Sequence, residues 1–216
     1  MKEVVSEFNY ILTDLDGTLI EMDEMKFANE YFKMLQDHMK DYLNPENLFY
    51  TIMSCIEEIT KNPDGKTSNY DRFFDVLLRK LGFEDKKTLL EQKFTEFYKK
   101  EFPKLSVLAK PNRELVEFLR ELRKEGKGLI LATNPVFPEI AILERLSWSG
   151  MKPEEFLLIT HMENSRYCKP DTRYFKEICE KLSAKPEECL MIGNDSHYDS
   201  TCEEIGIKYV DVRDLV

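Results

Sequence analysis

The chain has 216 residues, 42% hydrophobic and 33% charged, with 41 acidic against 31 basic side chains and a formal net charge of −10. That length allows one sizeable core, or a core with a modest second domain, and the composition excludes a disordered chain. The acidic balance argues against nucleic acid as a partner, because such binding draws on a basic patch and counterion release. No apolar run is long enough to cross a bilayer, and the opening MKEVVSEFNY has no signal-peptide core, so a membrane partner and secretion are both disfavoured. Five cysteines without a CxxC pair read as reduced thiols, and the expected location is cytoplasmic.

In chain order, the first element is a buried strand, YILT, that ends in Asp14-Leu15-Asp16-Gly17-Thr18. From about 22 to 102 the texture is helical. Met22, Met25, Ala28, Tyr31, Phe32 and Leu35 keep the three-and-four spacing of a buried stripe. Asn44-Pro45 is a cap and a first-turn proline ahead of Leu48, Ile52, Met53, Ile56 and Ile59. A third stripe runs from Tyr70 to Leu81 and stops at Gly82, and a fourth, with Leu90, Phe94, Phe97 and Tyr98, ends near Pro103. Four helices with short links predict a small bundle.

From about 108 onward strands and helices alternate. Pro111 is expected to open a helix closed by Gly126, followed by strands at 128–133, 156–160, 189–193 and 207–210, with helices at about 137–149, 171–183 and 198–205 between them. This alternation predicts an α/β fold, a Rossmann-like parallel sheet covered by helices, with the helical block inserted after the first strand. The expected domains are an α/β core from residues 1–21 and 108–216 and a helical domain over 22–107.

In an open parallel sheet, ligands bind beyond the carboxyl ends of the strands. Four polar clusters stand there: Asp14 to Thr18, Thr133-Asn134, Lys169-Pro170, and Gly193-Asn194-Asp195 with Asp199. Each alone has a plain alternative. Asp-Gly also marks hairpin turns, Asp195 and Asp199 also suit the start of a helix, and Lys169 also reads as a loop lysine. Their order and their placement at successive strand ends carry the weight.

With DLDGT, ATN, KP and GNDSHYD in that order, the chain resembles the haloacid dehalogenase (HAD) superfamily of phosphohydrolases. The motifs cover the expected core, and the helical insertion matches the superfamily's C1-type cap by position and helicity. The strings ATNPVFP and ENSRYCKP resemble an uncharacterised bacterial branch. The resemblance implies a Mg²⁺-dependent phosphatase acting on a small phosphorylated metabolite, and it assigns the main-chain carbonyl of Asp16 to the metal.

The residues themselves support that chemistry. Asp14 would attack phosphorus and form an aspartyl phosphate, and Asp16 would donate the leaving-group proton and then activate water. Mg²⁺ takes hard oxygen ligands, so the Asp14 and Asp195 carboxylates are the direct ligands expected, with Asp199 acting through water or Lys169. Thr133 offers a hydroxyl and Asn134 a backbone N–H to the phosphate, while Lys169 supplies fixed positive charge. Cys168 reads as a packed thiol, His161 and His197 as side chains without a metal, and the aromatic stripes as core. Glu163 and Asn164 either face the cleft or turn the chain.

An acid at position 16 disfavours dehalogenase and phosphonate-cleaving chemistries, which resemblance associates with a different residue there. A sugar phosphomutase of the same superfamily, or a phosphate- or metabolite-binding protein that has lost turnover, remain the alternatives. The oligomeric state is not readable from the sequence.

Overall fold

The computed structural model describes residue 5 and residues 7–215, so residues 1–4, 6 and 216 of the expected core segments lie outside the described residues. The strands are β1 (Tyr10–Thr13), β2 (Ile20–Met22), β3 (Ala109–Pro111), β4 (Gly128–Leu131), β5 (Leu158–Ile159), β6 (Cys189–Gly193) and β7 (Lys208–Asp211). The α-helices are α1 (Glu24–Met39), α2 (Pro45–Lys61), α3 (Asn69–Leu81), α4 (Lys87–Lys100), α5 (Arg113–Lys124), α6 (Glu139–Trp148) and α7 (Thr172–Leu182).

Five strands form a parallel sheet in the order β5-β4-β1-β6-β7. In chain order these are the third, second, first, fourth and fifth parallel strands, the doubly wound pattern of a Rossmann-like fold, whose switch point lies beside β1. The pleat sends successive side chains to opposite faces. Ile11, Leu129, Leu131, Leu190 and Ile192 accordingly pack with Leu115 and Leu119 of α5 and Ile142 and Leu146 of α6. On the other face, Leu12, Ile130 and Met191 pack with Tyr174, Phe175 and Ile178 of α7. Burial on both faces explains why these strands read as unbroken apolar runs.

The helices α1 to α4 lie between β2 and β3, which pair antiparallel through Ile20–Pro111, Glu21–Lys110 and Met22–Ala109. This ribbon is absent from the sequence reading, since three-residue strands give no periodicity to detect. Pro111 therefore ends β3 and does not open a helix; Asn112 caps α5, its side chain accepting from the N–H of Leu115 at 3.2 Å. Three further helix starts follow the same chemistry, with Asp23, Asn44 and Ser68 capping α1, α2 and α3. Gly82 closes α3 in the left-handed region at φ 65°, where a side chain would be strained.

The inserted helices share one apolar cluster that includes Phe27, Tyr31, Leu35, Leu48, Phe74 and Phe97 and reaches Ala141 of α6. Helix α6 thus serves two cores, the sheet through Ile142 and Leu146 and the insertion through Ala141. Two expectations need correction here. Met25 is 78% exposed and Ala28 is exposed too, because the buried stripe of α1 is Phe27, Tyr31, Leu35 and Met39. The helix expected over 198–205 is a run of turns followed by a 3₁₀ segment, Ser200–Ile205.

Candidate active site

Strand β1 delivers Asp14 to the carboxyl edge of the sheet, where the Asp14 N–H donates to the carbonyl of Ile192 at 2.9 Å. The chain must then turn back at once. Gly17 takes φ 73°, and a Cβ there would overlap the side chain of Asn194, so only glycine permits both the turn and the approach of the loop after β6. Thr18 closes this junction, its hydroxyl donating to Oδ1 of Asn194 at 3.0 Å.

Lys169 is 1% exposed, and its ammonium lies between two carboxylates. It donates to Oδ1 of Asp14 at 3.0 Å and to Oδ1 of Asp199 at 2.6 Å. Burial alone would lower the Lys169 pKa, but the negative charges of Asp14 and Asp199 reverse that effect and leave it raised, so the ammonium is a fixed charge. The loop carrying it is anchored at the Lys169 N–H, which donates to Oδ1 of Asn134 at 3.2 Å. Gly193 makes room for the triad, since a Cβ at that position would overlap the Asp199 carboxylate.

The turn after β6 brings Asp199 back beside Asp195 without an α-helix. The Asp199 N–H donates to the Asp195 carbonyl at 2.8 Å, the Asp195 N–H to Oδ2 of Asp199 at 3.3 Å, and the His197 N–H to Oδ1 of Asp195 at 2.8 Å. Asp14, Asp16, Thr133, Asn134, Lys169, Asp195 and Asp199 all line a single cavity of about 450 Å³ between the sheet edge and the inserted helices. Every predicted site residue is therefore brought to one place.

Asp16 has a partner that the sequence reading missed, Arg145 of α6, with which it forms an ion pair. The guanidinium is 2% exposed and passes beside the rings of Phe137 and Phe27, with centroid distances of 4.8 and 5.9 Å. Burial pulls the Arg145 pKa down to about 10, and the charge of Asp14 opposes that drop. Among the described residues, Oδ1 of Asp16 and Nε of Arg145 are buried without a hydrogen-bond partner. One signal could have exposed this residue: Arg145 stands among Ala141, Ile142 and Leu146 on the buried face of an amphipathic helix, where a cation needs a reason.

Other side chains fall into place. Glu163 lines the cavity and also caps α6, accepting from the N–H of Glu139 at 2.9 Å and contacting Nδ1 of His161 at 2.9 Å. His161 is thereby a structural partner. Cys168 is buried, burial pushes its thiol up to about 12, and it accepts from the amide of Asn69 at 3.3 Å.

The donor set can be tested against Mg²⁺. No group of three or more His, Cys, Asp or Glu side chains converges into a metal cluster among the described residues. Mg²⁺ does not need one, since it commonly keeps several waters and takes one or two carboxylates with substrate phosphate. Asp14, Asp195 and the main-chain carbonyl of Asp16 are hard oxygen donors on the same cavity, and Lys169 engages Oδ1 of Asp14, leaving Oδ2 as the oxygen that a cation or phosphorus would meet. The residues fit the ion.

A parallel sheet whose switch point carries a lysine-held aspartate, an acid two residues on and a backbone turn facing the same cavity defines a hydrolase of the phosphatase class. The comparisons agree. The family model for haloacid dehalogenase-like hydrolases matches residues 8–199, and the chain belongs to that family. It is 25% identical over 187 residues to a glyceraldehyde 3-phosphate phosphatase of Methanopyrus kandleri, covering 85% of this chain and 74% of that one. It is also 25% identical over 192 residues to the pyrophosphatase PpaX of Bacillus cereus, covering 88% and 76%. Among solved structures, the HAD-hydrolase YfnB of Bacillus subtilis, described as bound to magnesium and as revealing interdomain movement, superposes with a TM-score of 0.54 at 20% identity, covering 94% of this chain and 87% of that one.

Proposed function

We propose that this protein is a Mg²⁺-dependent phosphatase that hydrolyses a small phosphorylated metabolite through an aspartyl phosphate on Asp14. The observation that carries the reading is the charge relay of Asp14, Lys169 and Asp199, with contacts of 3.0 and 2.6 Å at the mouth of β1. Lys169 holds Asp14 ionised and places a positive charge where the phosphoryl oxygens arrive. An Asp14 oxygen attacks phosphorus, the ester bond breaks, and Asp16 gives its proton to the departing alkoxide. Water then attacks the phosphorus of the intermediate, Asp16 takes its proton, and Asp14 is released with inorganic phosphate.

The ion pair with Arg145 holds the Asp16 side chain at the cavity beside Asp14. The Thr133 hydroxyl and the Asn134 N–H bind phosphoryl oxygens in this reading. Asp14, Asp195 and the Asp16 carbonyl would hold Mg²⁺, with Asp199 acting behind them through Lys169. When bound, Mg²⁺ supplies charge neutralisation to the phosphoryl group. Residues 22–107 would act as a cap that closes over the ester and excludes water, and the relatives named for glyceraldehyde 3-phosphate and pyrophosphate are in keeping with a small phosphorylated substrate.

The test is phosphate release from a panel of metabolite phosphates with and without Mg²⁺, wild type beside Asp14→Asn. Metal-dependent release that disappears in the variant supports the reading. Transfer of phosphate between two positions of a sugar, without release, would indicate a mutase, and binding without turnover in wild type would indicate a binding protein.

A further inference from the structure

The cavity above Asp14 is chemically divided. Its volume of about 450 Å³ falls in the range of pockets that enclose drug-sized ligands, about 300–1,000 Å³. A phosphoryl group at the sheet edge fills only its floor. The rest is walled by the inserted helices, through Phe27, Phe32, Ile52, Ile56, Phe74 and Phe94.

Charge on the walls excludes a second anion on the substrate. Seven acidic residues line the cavity, namely Asp14, Asp16, Glu24, Glu91, Glu163, Asp195 and Asp199, against two basic ones, Lys169 and Arg145. Both cations belong to the sheet side and are already paired with carboxylates. The charged residues that the inserted helices contribute, Glu24 and Glu91, are both acidic. A carboxylate or second phosphate pointing into the upper cavity would lose its hydration and gain no counter-charge, a large penalty.

Several neutral polar groups of the upper wall already have partners within the protein. The hydroxyls of Tyr31 and Tyr98 meet at 3.0 Å, and the Thr95 hydroxyl donates to the carbonyl of Glu91 at 2.8 Å. Hydroxyl groups on a leaving group would find acceptors there chiefly in the Glu24 and Glu91 carboxylates. Hydrocarbon, by contrast, gains from every methylene that enters.

We infer that the preferred substrate is the phosphate monoester of a bulky, uncharged, hydrocarbon-rich alcohol, and not pyrophosphate or an ester bearing a second anion. This inference rests on the phosphatase reading and extends it to the leaving group. The phosphate sits with Asp14 and Lys169, and the apolar alcohol lies against Phe74, Phe94 and Ile56.

The test compares ethyl phosphate, octyl phosphate, 7-carboxyheptyl phosphate and inorganic pyrophosphate in the presence of Mg²⁺. The three esters release primary alcohols, so differences report the pocket more than the leaving group's basicity. Octyl phosphate is expected to exceed ethyl phosphate in kcat/KM on the order of 50-fold, about half the free energy of fully burying six methylenes. It should exceed the carboxylate ester on the order of tenfold or more, taking one lost charge-compensating contact as the scale. Ile56→Glu should bring the octyl-to-ethyl ratio toward one, with an unchanged unfolding temperature showing that the fold is intact.

Turnover of ethyl phosphate, the carboxylate ester or pyrophosphate at least as efficient as that of octyl phosphate would overturn the inference and leave the phosphatase reading standing. Absence of turnover with every ester would remove the phosphatase reading instead. The pocket is then judged by calorimetric binding to Asp14→Asn with Mg²⁺: tighter binding of octyl than of ethyl phosphate by a similar factor supports the apolar pocket, and equal affinities overturn it.

Discussion

Two surfaces face each other across one cavity, and they are built by opposite rules. On the sheet side, two sets of ion pairs, Asp14–Lys169–Asp199 and Asp16–Arg145, line the cavity, with Lys169, Arg145 and Asp199 almost wholly buried. On the helical side, rings and aliphatic chains dominate, and the charged residues present are acidic. Charges held this way are costly to leave unpaired, so each residue of the floor depends on its neighbours. Apolar contacts are non-directional, so the roof can change residue by residue without losing its fold. On the proposed reading, reaction chemistry belongs to the surface least able to vary, and leaving-group selection to the surface best able to.

The comparison can be tested at several strengths. The largest effect is expected from Asp16→Asn, which should lower kcat for alkyl phosphates by about 10²–10⁴-fold and for an aryl phosphate by much less, since a good leaving group needs little protonation. Equal losses for both ester types, measured by steady-state kinetics, would place Asp16 outside proton transfer. Lys169→Met should come next, lowering unfolding free energy by about 3–5 kcal/mol, because it strands Asp14 and Asp199 together without their cation. Denaturant unfolding checks this, and an unchanged midpoint would show that the floor's residues are energetically independent.

A smaller effect tests how the two surfaces are joined. Asn69 of α3 is fully buried and ties the insertion to the core: its N–H donates to the carbonyl of Ser165 at 2.7 Å and its amide to that of Pro135 at 3.2 Å. Arg72, one turn on, donates to the carbonyl of Arg166 at 2.9 Å. Asn69→Ala should cost about 1–3 kcal/mol of stability, and hydrogen exchange should rise first in residues 65–75 and 165–168. Uniform exchange across the chain would contradict a local latch. The smallest expected signal is no reaction at all: Cys168, buried and with its thiol raised to about 12, should resist iodoacetamide at pH 8 in the native protein. Mass spectrometry would reveal rapid alkylation if that environment were misjudged.

The floor was legible in the sequence because its chemistry dictates residue types at fixed spacing. Asp14 and Asp16 are separated by one residue, and Lys169 and Asp195 follow strands whose apolar runs can be counted. The roof was less legible. Phe32, Met53 and Ile56 were read as parts of buried stripes, and the structure places them on a cavity, because periodicity identifies an apolar face without saying whether a protein core or a ligand space lies beyond it. Arg145 was missed for a related reason. Its meaning depends on Asp16, 129 positions away in the sequence and adjacent only in the folded chain. The β2–β3 ribbon and the 3₁₀ segment after Asp199 were beyond reach because three paired residues and one irregular turn leave no pattern.

The most direct test of the central claim is to quench the enzyme in acid during turnover of a phosphate ester with Mg²⁺ and to locate the transferred phosphoryl group by reductive trapping and peptide mass spectrometry. Modification is expected at Asp14, absent from Asp14→Asn and from enzyme without substrate. Sustained phosphate release with no modification at Asp14, or with the group on another residue, would contradict the claim.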